Sequence, residues 1–234
     1  MGLVAKTREL ARCEPRKTVG CAQLGVTSMR TLVTVSLALL LLVEPAVAQS
    51  WRHFEFRDQF FSVNFPDEPV VTETTFASEY GVTLPARVYT VRNGASLHSV
   101  TVIDYTDAQR IYQELPDRTD EGNNAALYLY DQRASVSYAA RQFRLRGGEV
   151  TYDAWNHIDL VEGHQLQITN TDSSRTYAGI YFHEGRLYIL EATVPPGSLP
   201  QGLFQQSLSF LDADGKRIRY QLFPDGSRKR VTPP

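Results

Sequence analysis

The chain has 234 residues, with 24 basic against 26 acidic side chains and a formal charge of −2. Setting aside residues 1–48, for the reason given below, removes six basic and three acidic residues and leaves a net charge near −5. An acidic remainder argues against nucleic acid as a partner, because that partner requires a basic surface. Both cysteines, Cys13 and Cys21, lie in the same stretch, so the rest offers no disulfide, no thiol nucleophile and no cysteine metal site.

Residues 29–48 read as a secretory signal. Arg30 supplies the positive start, Leu32 to Val43 form an apolar run, Glu44 and Pro45 break it, and Ala46 and Ala48 are the small residues that a signal peptidase inspects. The run is about a dozen residues, whereas a membrane-spanning helix needs ~20. We therefore expect removal and no transmembrane anchor, with the product in the periplasm or the outside medium. The basic, unpatterned stretch before Met29 reads as a mis-assigned leader, with a long n-region as the rival. No cysteine follows the cleavage point, so a lipid anchor there is excluded.

Residues 49–223 are expected to form one domain, and 224–234 a basic flexible tail. Phe61, Val63 and Phe65 alternate with Ser62 and Asn64, which is the period of a strand. Val70 to Phe76 is a weaker strand. Ala86 to Val91 and Val100 to Tyr105 flank Asn93-Gly94, a tight-turn pair. Val100 and Val102 face one way, Ile103 and Tyr105 the other, so this strand needs cover on both sides. Thr106 to Gln109 reads as a capping box opening a short helix, and 116–124 as a polar loop.

Ala125 to Gln142 reads as a longer helix with Ala126, Tyr130, Ala134 and Tyr138 at four-residue spacing, although Leu127 to Tyr130 also fits a strand. The second half reads as a meander: Glu149 to Val161, a turn at Gly163, His164 to Asn170, Thr176 to Phe182, a tight hairpin over His183 to Arg186, and Leu187 to Val194. A capping box at Ser198 to Gln201 opens a final helix whose stripe is Leu203, Phe204, Ser207, Leu208 and Leu211. Meanders with segregated helices give the class α+β, a mainly antiparallel central sheet with helices on both faces.

The segment Phe61 to Pro66, the central hairpin, a helix, Arg186 to Leu190, and a terminal helix ending Ser207 to Leu211 resemble the PsbP-like group. That group includes an extrinsic photosystem subunit and exported bacterial proteins of unknown role. The resemblance implies an α/β/α sandwich and a binding or assembly role in place of an enzymatic one. It brings no catalytic motif to transfer.

Chemistry-bearing patterns are sparse. His157 and Asp159 share a strand face, and His164 lies across the expected Gly163 turn, so two nitrogens and a carboxylate are candidates for a metal. The plainer reading is a solvated strand face with Ile158 and Leu160 turned inward. Asp212 to Gly215 lacks the further ligands of a calcium loop and reads as a turn. No nucleophile elbow or phosphate loop is present, and no cofactor is implied. Lys216, Arg217, Arg219, Arg228, Lys229 and Arg230 form a basic cluster that could meet a membrane surface or an acidic partner. Three functions follow. The first is an exported, non-enzymatic binding or assembly module with an unknown protein or small-molecule partner. The others are a metal-dependent hydrolase built on His157, Asp159 and His164, and a membrane-associated envelope-assembly factor using the tail.

Overall fold

Strand alternation at Phe61, Val63 and Phe65 is realised as β2 (Phe61–Phe65), paired antiparallel with β1 (Arg52–Phe56) in register Phe54 with Val63. The architecture is that of a computed structural model describing residues 51–115 and 126–231. The expected cleavage residues Ala46 and Ala48, and the polar loop at 116–124, lie outside the described residues.

Two meanders build one seven-stranded antiparallel sheet. The first is β3 (Val70–Ala77), β4 (Thr83–Asn93) and β5 (Ser96–Asp104). The second is β6 (Glu149–Ile158), β7 (Val161–Thr169), β8 (Arg175–His183) and β9 (Arg186–Val194). They join along β5 and β9, giving the order β3-β4-β5-β9-β8-β7-β6. Between them run α1 (Ala108–Gln113) and α2 (Leu127–Leu145).

Each face of this sheet has its own core. Ile103, Tyr105, Leu166, Ile168, Ala178, Ile180 and Leu187 pack against Val136, Ala139, Ala140 and Phe143 of α2. On the other face, Val100, Val102, Tyr177, Tyr181, Tyr188 and Leu190 meet Phe61, Val63, Phe65, Phe204, Leu208 and Phe210. Burial of each such large side chain contributes roughly 1.5–3 kcal/mol.

That second face corrects the expected fold class. Among the described residues α1 and α2 cover one face, and a small sheet of β1, β2 and the short strand β10 (Ser209–Phe210) covers the other, so the fold is β-rich and not an α/β/α sandwich. The reason lies in 198–211. Only Gly202–Gln205 forms a helix, the single-turn α3, while Ser209–Phe210 become β10 and pair with Phe61 and Ser62 of β2. Strands that are apolar on both sides require cover, but a second sheet supplies it as well as a helix does.

Smaller expectations shift too. The buried stripe of α2 is Asp131, Ser135, Val136, Ala139, Ala140 and Phe143, offset by one residue from the expected one, which leaves Tyr130 at the surface. The Thr106 hydroxyl donates to Asp104 Oδ1 at 2.5 Å, and α1 has no side-chain cap bond. The turn between β6 and β7 sits at Asp159 and Leu160, both with positive φ (50° and 64°), and not at Gly163. Gly163 is mid-strand, where a Cβ would stand 2.2 Å from Cδ1 of Tyr181. Arg228–Val231, inside the stretch read as a tail, form β12 and pair with β11 (Arg219–Leu222).

Candidate functional site

The polar alternation of β5 turns His98 onto the same face as Val100 and Val102. The imidazole is 2% exposed and stands edge-on to two rings, Trp51 at 5.2 Å and Phe204 at 5.1 Å. Trp51 precedes β1, and Phe204 lies on α3, packed against Phe65 at 5.6 Å. The path from β9 to α3 is bent by Pro195, Pro196 and Gly197, the last with φ of +80°. Beyond this bend Leu199 and Leu203 are exposed.

These segments enclose a cleft of about 570 Å³ lined by Trp51, Ser96, His98, Leu199, Leu203 and Phe204, among others. That size falls within the ~300–1,000 Å³ typical of small-molecule sites. Leu199 is 82% exposed and Leu203 89%, with Trp51 beside them at the surface. Contiguous exposed apolar side chains around a concavity mark an interaction site.

His98 Nε2 lies 3.0 Å from Gln201 Oε1, and Gln201 Nε2 donates to the Leu199 carbonyl at 2.8 Å. His98 Nδ1 is buried and has no hydrogen-bond partner among the described residues. Burial holds the imidazole below its usual pKa, a shift that the bond to Gln201 opposes only partly. A neutral ring in an apolar wall can accept a hydrogen bond without the expense of a buried charge.

The three metal candidates have different neighbours. Asp159, in the β6–β7 turn, is bound by Arg217 at 2.9 Å. His164 Nε2 meets Asp153 Oδ1 of the neighbouring β6 and Arg144 Nη2 of α2, and Trp155 stands edge-on to the ring at 5.2 Å. Arg144 holds Asp153 through bonds of 2.6 and 2.8 Å, which keep that carboxyl down at about 2. His157 is exposed and pairs with Glu162 across the hairpin. Among the described residues, no group of three or more His, Cys, Asp or Glu side chains is placed to hold a metal ion.

His157 instead lines a second groove of about 700 Å³, with Trp155, Leu160, Glu162, Leu222 and Arg228. Its wall carries the charged side chains of Glu162 and Arg228, whereas no Asp, Glu, Lys or Arg lines the His98 cleft. Asp212 behaves as a turn residue: Oδ1 accepts from the main chain of Asp214 and Lys216, and Oδ2 from Arg230 at 3.1 Å. Much of the basic cluster is engaged locally. Arg217 is on Asp159, Arg230 on Asp212 and Glu184, Arg228 over Tyr220, and Lys229 over Phe223. No helix among the described residues is long and apolar enough to cross a membrane.

Sequence reasoning missed His98, Gln201 and Trp51 as a site. One signal was available: His98 is two residues before Val100, hence on its face.

No family model matches this chain, and no curated protein matches it. Among solved structures, it is similar to the solution structure of cyanobacterial PsbP (CyanoP) from Synechocystis sp. PCC 6803, at 10% identity over 64% of this chain and 84% of that one, with a TM-score of 0.35.

Proposed function

We propose that this protein is an exported, non-enzymatic binding module that holds a small apolar ligand in the cleft between Trp51, His98, Leu199, Leu203 and Phe204. One observation carries the reading: two leucines more than four-fifths exposed flank a concavity walled by aromatic rings. Exposed apolar surface of this kind is retained when a ligand covers it, since burial of apolar area on binding is favourable at roughly 25 cal/mol per Å². Export rests on the sequence of residues 29–48, with its positive start, apolar run and small residues at 46 and 48.

The test uses N-phenyl-1-naphthylamine, an uncharged fluorophore that brightens in apolar surroundings. We expect saturable binding of one probe per protein, lost in Leu203→Asp at unchanged circular dichroism. Saturable binding that survives Leu203→Asp, or none at all, removes the cleft as the site. For export, N-terminal sequencing of the protein recovered from its native compartment should begin after Ala48. A chain beginning at Met1 or Met29 contradicts that part.

A further inference from the structure

The bonding of Gln201 fixes the proton on His98. A main-chain carbonyl only accepts, so the atom of Gln201 that lies 2.8 Å from the Leu199 carbonyl is the amide nitrogen. The amide oxygen then faces His98 Nε2 at 3.0 Å, and an amide oxygen also only accepts. Nε2 must therefore carry the hydrogen. Ring tautomers are ordinarily assigned and not seen; here two obligate acceptors in series leave one choice. With the ring neutral, Nδ1 is a bare lone pair. It has no hydrogen-bond partner among the described residues and is shut off from water, and a buried acceptor left unmade is unfavourable.

Apart from His98, the polar side chains of the cleft are Asn64, Ser96, Ser198 and Gln201, all uncharged. None of the residues lining it is Asp, Glu, Lys or Arg. Of its polar members, Asn64 already meets His53 Nδ1 through Oδ1 at 3.1 Å. A charged ligand would find no counter-ion there, and desolvating it would be costly.

We infer that the ligand is an uncharged, mostly apolar molecule bearing one hydrogen-bond donor, a hydroxyl or N–H, and that His98 Nδ1 receives this donor. The inference rests on the cleft being the binding site and adds the chemistry that the ligand must carry. Trp51 and Phe204 both stand edge-on to the imidazole. Phe204 is buried while Trp51 is 40% exposed, so the indole is the more exposed of the two rings beside the imidazole.

Calorimetric titration of the purified protein with 2-naphthol and with 2-methoxynaphthalene separates the two claims. The probes share a ring system and differ in whether the oxygen can donate. We expect 2-naphthol to bind about five- to ten-fold more tightly, the contribution of one hydrogen bond, and the ratio to fall to about one in His98→Phe. The ¹⁵N resonance of His98 Nδ1 should move on adding 2-naphthol and stay on adding 2-methoxynaphthalene, a reading that needs no variant. Equal affinity for the two probes overturns the inference and leaves the cleft as the site. So does an Nδ1 resonance that ignores 2-naphthol. Binding of neither probe overturns both.

Discussion

The Tyr112 hydroxyl donates to Asp131 Oδ2 at 2.7 Å, tying α1 to α2 inside the core. Asp131 is fully buried and its Oδ1 has no hydrogen-bond partner among the described residues. Burial raises its carboxyl above the ordinary value, against the opposing bonds from Ser78 and Tyr112. A carboxyl raised on folding favours the protonated chain. Its contribution is therefore whole below the unfolded pKa of ~3.9 and is lost as pH rises through the higher folded value. Asp131→Asn keeps an acceptor for Tyr112 and removes the charge. We expect the variant to be more stable at pH 7 by about 1–3 kcal/mol, with the gap narrowing towards pH 4. Urea midpoints across that range check it; a gap independent of pH, or a less stable variant at pH 7, counts against it.

Gly163 and Gly202 should respond oppositely to alanine. At Gly163 the new Cβ would lie 2.2 Å from Tyr181 Cδ1 and 2.3 Å from the Ile180 carbonyl oxygen, both fixed in a packed sheet. We expect a loss of about 3 kcal/mol or more. At Gly202 the Cβ meets nothing within 4 Å and φ is not in the left-handed region. Alanine there, at the start of α3, should stabilise by about 0.4–1 kcal/mol. Thermal melts of the two variants decide; equal effects would refute the packing described around Tyr181.

Asp153 behaves in the opposite sense to Asp131. Its bonds from Arg144, chiefly, and from His164 hold the carboxyl at about 2. A depressed carboxyl stabilises the fold above its unfolded pKa, and that stabilisation is lost as pH falls through the folded one. The pair is about one-third exposed, so screening limits its worth to about 1 kcal/mol. Asp153→Asn should be that much less stable at pH 7, with the deficit shrinking as pH falls from about 4 through about 2. A deficit that persists unchanged into acid would mean that Asp153 acts through packing and not through charge.

Much of the architecture was legible in the residues. Val100 and Val102 against Ile103 and Tyr105 announced two cores, and both exist. What such a strand cannot announce is the nature of its cover. The stripe from Leu203 to Leu211 has helical spacing, yet Ser209 and Phe210 gain more by completing a ladder with β2. The hairpin at 159–160 was hidden because Asp159 and Leu160 take positive φ without glycine, while Gly163, the obvious turn residue, serves the close approach of Tyr181. The cleft was the least legible part. It joins Trp51, His98 and Gln201, positions 150 residues apart at their extremes, and no local spacing relates them.

Titration with 2-naphthol followed in the ¹H–¹⁵N spectrum tests the binding cleft most directly, because it reports where the ligand sits. The main-chain signals of Trp51, Ser96, His98, Gln201 and Phe204 should move together and saturate, while those of Trp155 and His157 stay in place. Shifts centred on Trp155 and His157, or scattered over the sheet with no common saturation, would contradict it.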